Sequence, residues 1–345
     1  APLCSMAPSD SAAADAHLTF AYRYYDDAST AVIDANSGRL AADYRLASDS
    51  PHFGLSVAAS AEFALAGFVP AAWLGRAGGA ARLYPWENGL VFLSAGLEGA
   101  AASGPGRPGL DARIGVGLGR IADVTAAAKA VRLHRALVEL GAVPRGLADD
   151  IVATVAEMIE CEDEYASTRD LLADIEAVVE FGAGVPLDAR AVMTMEEVVC
   201  ASRKERSCGY AIALGVGYEI LDPFDGIQDA VYAATADGAF VSGPDDELVV
   251  HVSFSGPFDA LDENSLLGAA TYTLDFGRGG TLAASYTLLR VQPAAQTART
   301  THEASLGLAF DLGIGSLGLQ VSATRRSGEP GWSIDLSMSA SLEIL

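Results

Sequence analysis

Several features are scarce in this chain of 345 residues, and each scarcity removes a class of protein. No run of about 18 uncharged apolar residues occurs, which excludes an ordinary transmembrane helix. Lysine occurs only at Lys129 and Lys204, and 22 Lys and Arg stand against 45 Asp and Glu. The formal net charge of −23 disfavours nucleic acid as a partner, because nucleic-acid affinity requires basic side chains that neutralise phosphates.

Arrangements of residues that carry chemistry are also scarce. The five histidines form no cluster in the sequence. The acidic run at 160–164 lacks the ligand spacing and the turn glycine of a calcium loop, so we interpret it as a solvated loop. The glycines at 115, 117 and 119 lack the spacing of a phosphate-binding loop. The sequence therefore predicts no enzyme activity, no cofactor and no metal site.

Cysteine is limited to four residues. Cys161, Cys200 and Cys208 lie in or beside one segment of the chain, whereas Cys4 lies near its start. None has the paired spacing of a zinc site, and one disulfide among Cys161, Cys200 and Cys208 fits an oxidising compartment. The start at Ala1 is consistent with removal of a signal peptide.

Hydrophobic residues make up 50% of the chain, and alternation spreads them out. In the last fourteen residues Trp332, Ile334 and Leu336 alternate with Ser333 and Asp335, and the pattern continues. Successive strand side chains point to opposite faces, so each such strand has one apolar face and one polar face. The polar face is rich in Gly, Ala and Ser, which suits the inside of a water-filled cylinder. A soluble β-protein would carry more Lys and Glu there, and it is the alternative reading.

This alternation, with the turn residues between segments, predicts about fourteen strands, an even number. Twelve remains an alternative, because residues 68–86 alternate poorly. The predicted strands are 15–26, 37–48, 52–66, 73–86, 90–103, 108–121, 208–220, 228–241, 246–258, 264–277, 280–293, 300–313, 315–326 and 330–345.

These features resemble bacterial, porin-like outer-membrane β-barrels over about three quarters of the chain. The resemblance rests on the alternating segments, on the C-terminal strand and on aromatic residues near strand ends, namely Tyr22, Tyr24, Tyr84, Trp86, Tyr218 and Trp332. It implies a transmembrane antiparallel up-and-down barrel in contact with outer-membrane lipid. It also implies that the outer-membrane assembly machinery recognises the C-terminal strand. Leu345 departs from the family pattern, because it is not aromatic and falls on the polar register.

One connection breaks the alternation. Between residues 122 and 207 the hydrophobic period changes to about 3.6, which predicts four amphipathic helices with a shared core. The predicted domains are a short periplasmic N-terminal segment (1–14), a first half-barrel of six strands (15–121), the helical domain (122–207) and a second half-barrel of eight strands (208–345). Both termini of an outer-membrane barrel lie in the periplasm, so a domain after the sixth strand is predicted to be periplasmic. It would sit below the barrel or across its mouth.

The charges predicted to face the lumen are not evenly distributed. The basic residues lie on the first six strands: Arg23, Arg39, Arg45, Arg82 and Arg113. The later strands carry acidic residues: Glu219, Asp237, Asp275, Glu303, Asp311 and Asp335. Opposite walls of different sign would set a field across a pore. In the alternative interpretation the arginines pair with acids on their own wall, such as Asp43, Glu62, Glu98 and Asp111, and fill space.

Two functions follow as hypotheses. The first is a passive channel for small polar solutes, with the helical domain as a gate or a docking platform. The second is a structural or secretion-associated anchor, whose domain 122–207 binds a periplasmic protein. A transporter of hydrophobic solutes is disfavoured because only about 14 residues, too few for a plug, precede the first strand. A homo-oligomer is compatible with either function.

Overall fold

The structure is a computed structural model, and it describes residues 3–6, 11–25, 35–86, 89–104, 108–201, 205–221, 229–258, 263–276, 279–293, 297–311 and 315–342. Within these ranges the strands are β1 (Ser11–Tyr25), β2 (Ala35–Asp49), β3 (Phe53–Ala66), β4 (Val69–Leu83), β5 (Val91–Ala102), β6 (Gly109–Asp123), β7 (Ser207–Leu221), β8 (Ala230–Phe240), β9 (Asp246–Pro257), β10 (Asn264–Phe276), β11 (Gly280–Gln292), β12 (Arg299–Asp311), β13 (Gly315–Arg326) and β14 (Ser333–Leu342). The helices are α1 (Thr125–Glu139), α2 (Asp149–Glu160), α3 (Thr168–Ala183) and α4 (Ala189–Val199), and a short 3-10 helix spans Leu3–Met6.

The strands form one antiparallel sheet in which every strand pairs with its neighbours in sequence. The prediction of an up-and-down arrangement with about fourteen strands is thus confirmed. Cα atoms of β1 come within 8 Å of Cα atoms of β6, which shows that the sheet is strongly curved. In the described part of the chain no ladder joins β1 to β14, so the sheet is not closed there. Residues 343–345, including Leu345, lie outside the described residues.

Apolar residues occupy the outer face of the sheet. On β6 and β7 the side chains of Ile114, Val116, Ile212 and Leu214 are exposed, whereas the residues between them are partly buried. This is the alternation that the sequence predicts, with the polar and small residues inside. The apolar outer belt does not include Tyr84, however, because this residue is only 1% exposed.

The weakest part of the predicted strand pattern, residues 68–86, forms β4, which begins earlier than expected. Gly67 and Phe68 make a two-residue turn in which both have positive φ, 59° and 62°, as a type I′ hairpin requires. The Phe68 ring stacks on Tyr22 with 3.9 Å between ring centroids, and the Phe68 amide donates to the Tyr22 hydroxyl over 3.1 Å. These contacts hold a bulky residue in a backbone conformation that normally favours glycine.

The four helices lie between β6 and β7 and form a bundle with its own core. Leu133, Leu137, Ile175 and Met195 are almost completely buried there. Side-chain caps begin two of the helices: Ser167 accepts from the amide of Asp170, and Asp188 from that of Ala191. None of the described helices has the length and apolarity needed to cross a membrane.

The bundle joins the sheet where β6 ends and β7 begins, and we call this end of the sheet the insert end. Asp123 and Ser207 are directly paired there, and the Val124 amide donates to the Arg206 carbonyl over 2.7 Å. β6 and β7 are therefore directly paired in the sheet, although the whole helical insert separates them in sequence.

A disulfide between Cys4 and Cys208 fixes the 3-10 helix at the same place. Leu3 of that helix packs into the bundle core. The disulfide predicted among Cys161, Cys200 and Cys208 is wrong in its pairing, because Cys161 and Cys200 are exposed free thiols. The physical reason is that the 3-10 helix brings Cys4 to the start of β7, 204 residues away in sequence.

Candidate functional site: the bore of the sheet

The inner face of β2–β9 encloses a cavity of about 790 Å³. Small residues such as Gly78, Gly96 and Gly115 form much of its wall, and they leave the space open. Ionisable side chains lie among them: Asp43, Arg45, Arg76, Arg82, Glu98, Arg113, Glu205 and His251. The larger cavity therefore has a mainly apolar wall of small residues in which charged side chains are set, and it is wide enough for a small organic solute.

A second cavity of about 430 Å³ lies toward the insert end, and its wall includes Asp49, Asp123, Ser207 and Asp237. The two cavities meet at the residues that line both of them, and Arg82 and Glu205 are the charged ones among these: Ala47, Ser56, Ala80, Arg82 and Glu205. We call the two cavities together the bore. No residue of α1–α4 lines either cavity, so the helices do not fill this space.

Side chains from distant strands approach one another at the junction between the cavities. Arg82 Nη2 of β4 lies 3.9 Å from Asp237 Oδ2 of β8, and the other oxygen of Asp237 lies 2.6 Å from His251 Nδ1 of β9. The Arg82 guanidinium also sits 5.4 Å from the centroid of the Phe92 ring. These contacts join the β4 side of the bore to its β8 and β9 side through side chains alone.

A second crossing lies closer to the insert end. The guanidinium of Arg120 on β6 lies 4.0 Å above the ring of Tyr84, a cation–π contact that explains why Tyr84 is buried. Arg120 also reaches Asp49 of β2, 3.5 Å away, and donates to the Pro51 carbonyl over 2.9 Å. These contacts connect β6 with the ends of β2 and β4.

Phe92 owes its position to a glycine. A side chain at Gly117 would lie 2.2 Å from the Phe92 ring, so only glycine leaves room for that ring against β6. Phe92 and Tyr84 pack edge to face, 5.7 Å apart, and form a small buried cluster with Ala211. This cluster supports Arg82 and Arg120 from the wall.

The predicted basic wall is only partly available for solutes. Arg45, Arg82 and Arg113 line the larger cavity. Arg39 is bound to Glu62 at 2.7 Å, and Arg113 lies 3.1 Å from Glu98 and 3.8 Å from Asp111. Three of the four acids named for pairing on the same wall are therefore used in that way. The side chain of Arg23 lies outside the described residues.

Among the residues of the predicted acidic wall, Asp237 is the one that lines either of the two cavities. Glu219 is partly buried, Glu303 and Asp335 are exposed, and the Asp311 side chain lies outside the described residues. Asp275 lies at the insert end and binds arginines of the junction with the bundle. The structure thus brings the two predicted walls together at Arg82 and Asp237.

The bundle is attached to the sheet by a buried ionic network. Arg206, whose side chain is 4% exposed, places Nη2 2.6 Å from Asp275 Oδ2 and Nη1 3.9 Å from Glu247 Oε2. Arg132 of α1 shares Asp275 at 3.2 Å and binds Asp245 at 2.8 Å. Asp245 lies in the turn between β8 and β9, and Asp275 lies near the end of β10. The network therefore fixes the bundle to the β8–β10 side of the insert end.

Sequence reasoning missed Arg76 and Arg120 as residues of the bore. Arg76 lies six residues from Arg82 within the predicted strand 73–86, so the alternation that selected Arg82 would also have selected Arg76. Arg120 stands between Gly119 and Ile121 near a strand end, where the alternation weakens. Within the described ranges no group of three or more His, Cys, Asp or Glu could hold a metal ion.

Comparisons with known proteins add little to this description. No protein-family model matches the chain, and no curated protein does. A solved structure, the β domain of the Bordetella autotransporter BrkA, is similar over 97% of this chain and 98% of its own, with 9% sequence identity. Its TM-score is 0.26, a value too low to support any argument about this chain.

Proposed function

We propose that this protein is a bacterial outer-membrane β-barrel that acts as a passive channel for small polar solutes, with no enzymatic activity. The observation that carries the proposal is the bore, in which two cavities that both carry charged side chains meet beside Arg82 and Glu205. The apolar outer face of the sheet supports a membrane location, because lipid-facing and lumen-facing residues alternate in such barrels. The bundle is proposed to lie in the periplasm, since it follows an even-numbered strand.

In this proposal Arg82 sets the narrowest point of the pore. Its contact with Asp237 is long, at 3.9 Å, and both side chains are 28% exposed, so the contact is worth little energy and can open. A solute that offers its own polar groups can replace the contact at small cost. Charged side chains lining a pore also select among ions, because they act on solutes at close range.

The test is electrical recording from the refolded chain in planar bilayers. We expect discrete conductance steps, and we expect Arg82→Ala to raise the conductance on the order of twofold because it removes the side chain at the junction. Arg326→Ala is the matched control, since Arg326 is exposed and lines neither cavity. Absence of steps from protein that migrates as a folded barrel would contradict the channel.

A second candidate is a membrane anchor whose bundle binds a periplasmic protein. Phe181 on α3 and Met193 on α4 favour it, because at 84% and 70% they are far more exposed than the other large apolar residues of the bundle. Large exposed apolar residues mark interaction sites when they form a patch. A photo-crosslinker at position 181 that captures one defined periplasmic protein, with no capture from exposed position 149, would support this function.

A further inference from the structure

Four arginines line the larger cavity and belong to one face of the sheet. Arg45 pairs across β3 with Ala58, and Ala58 pairs with Gly78 of β4. Directly paired residues share a face, and so do residues two apart in one strand. Arg76 and Arg82 therefore lie on the same face as Arg45, and the pairing of Gly78 with Glu98 and of Glu98 with Asp111 extends that face to Arg113.

These arginines differ in how far their charge is already neutralised. Arg113 is bound by Glu98 and Asp111, and Arg82 approaches Asp237. Arg45 and Arg76 make no ion pair with any residue that the structure describes, although both line the cavity. Asp43 pairs with Ser60 of β3, and Ser60 pairs with Arg76 of β4. The Cα atoms of Asp43 and Arg76 are therefore two strand spacings apart, roughly 10 Å.

The cavity is thus locally basic in a strongly acidic chain. Its lining carries four arginines against the three carboxylates of Asp43, Glu98 and Glu205, and Glu98 is occupied by Arg113. The Cα atoms of Arg45 and Arg76 are separated by two strands and two residues, roughly 12 Å. Gly78 and Ala58 stand between them, so two long side chains can converge on one ligand without obstruction.

We propose that the larger cavity binds a small oxyanion, a carboxylate or a phosphate, between Arg45 and Arg76. Guanidinium groups fit such anions because their planar, forked donors match two oxygens at once. Arg82 lies on the same strand as Arg76 but six residues further along, roughly 20 Å, so the proposed anion site is separate from the contact between Arg82 and Asp237. The inference rests on the proposed function in taking the bore as the route by which the ligand arrives.

The experiment is isothermal titration calorimetry on the full chain refolded in detergent. The probes are succinate and inorganic phosphate, with neutral succinamide and cationic putrescine as controls for charge. We expect succinate or phosphate to bind while succinamide and putrescine do not, and the stronger of the two anions identifies the ligand class. The Arg45→Gln, Arg76→Gln double variant should weaken that binding at least tenfold. Arg39→Gln, on the same strand as Arg45 but bound to Glu62, should leave it within twofold.

Heat-modifiable gel migration of each variant shows that it is folded. The proposal would be overturned if succinamide bound as well as the anions, or if the double variant bound the anion as well as the original protein. It would also be overturned if no anion bound with a Kd below 100 mM, which corresponds to a binding free energy of about 1.4 kcal/mol. Failure of the proposed function gives a different result. A protein that conducts but binds neither anion refutes only the site, whereas one that binds through Arg45 and Arg76 but never conducts refutes only the channel.

Discussion

At the scale of single residues, Arg206 makes the most consequential contact between the sheet and the bundle. Its guanidinium is buried and is held by Asp275 at 2.6 Å and Glu247 at 3.9 Å, while its amide donates to Thr125 Oγ1. Removal of one partner from a buried ion pair leaves an uncompensated charge, which costs about 3 to 5 kcal/mol. Loss of Arg206 would leave Glu247 with the Ser207 amide as its hydrogen-bond donor and no cationic partner among the described residues, whereas Asp275 would keep Arg132 at 3.2 Å.

We therefore predict that Arg206→Ala lowers the free energy of unfolding of the bundle by about 3 kcal/mol or more. Helical circular dichroism at 222 nm during urea denaturation of the full chain measures this quantity. Arg326→Ala serves as the control, because its pair with Glu329 is exposed and should contribute less than about 1 kcal/mol. Equal losses in the two variants would show that the buried network does not stabilise the attachment.

The free thiol of Cys161 offers a second prediction at this scale. Partial desolvation of this exposed thiol and then the carboxylates of Glu164, Glu160 and Glu157 raise its pKa, because both effects disfavour the thiolate. The thiolate is the reacting form, so a raised pKa lowers the reaction rate at neutral pH.

Cys161 should accordingly be alkylated by iodoacetamide several-fold more slowly at pH 7 than after Glu164→Gln, which removes one of the three charges. The pH at which the rate reaches half its maximum should fall in that variant. Mass spectrometry measures the rate at which Cys161 is alkylated at each pH. The alkylation rate of Cys200 in the same molecule serves as the internal reference. An unchanged pH profile would mean that the carboxylates do not act on this thiol.

At the scale of elements, the insert enters and leaves the sheet at one paired position between β6 and β7. The Val124 amide already donates to the Arg206 carbonyl, so the chain ends left by removing 125–205 are within hydrogen-bond distance of each other. A two-residue Asn-Gly turn can close such a gap between antiparallel strands.

We predict that replacing residues 125–205 by Asn-Gly leaves a sheet that folds in detergent. The measurement is the difference in gel migration between heated and unheated samples, and the intact chain is the reference. Loss of that difference would show that β6 and β7 need the bundle in order to pair.

Sequence alternation predicted most strands because a strand with an apolar and a polar face repeats every two residues. Ion pairs on one face of the sheet followed from the same register, as for Arg113 with Glu98 of the neighbouring strand and with Asp111 of its own strand. Contacts that depend on curvature could not be predicted. Arg82 meets Asp237 and Arg120 covers Tyr84 only because the sheet bends, and no local pattern encodes the distance between β4 and β8. Cys4 finds Cys208 for a similar reason, through tertiary placement of a four-residue helix.

At the scale of the whole molecule, the bore and the bundle have separate positions. The bundle is fixed over the strand ends β8–β10 by Arg132 and Arg206, while the two cavities are lined by strands and by Glu205. A gate formed by the whole bundle would have to break this network, whereas a change at Arg82 would not. The proposed pore is therefore controlled by side chains of its wall.

Sidedness provides the test at this scale. In a background in which Cys161 and Cys200 are replaced by serine, a cysteine at Asp149 of α2 should resist an impermeant maleimide on whole cells. One at Glu329, between β13 and β14, should react at least tenfold faster, because an impermeant reagent reaches only the outer face of the membrane. Permeabilised cells, in which both positions should react, provide the control. Labelling at 149 with protection at 329 would place the bundle at the cell surface.

The disulfide between Cys4 and Cys208 also determines how the molecule transmits a mechanical load. A pull between residue 4 and the C-terminal strand passes directly from Cys4 to the start of β7, so β1–β6 and the bundle carry no tension. The disulfide closes a loop of 204 residues, which would measure roughly 700 Å if it were fully extended at about 3.4 Å per residue. In single-molecule stretching from these points, a reducing agent should release that length. Without a reducing agent only the strands after Cys208 should unfold under force. The disulfide therefore divides the chain into a part that is protected from the force and a part that bears it.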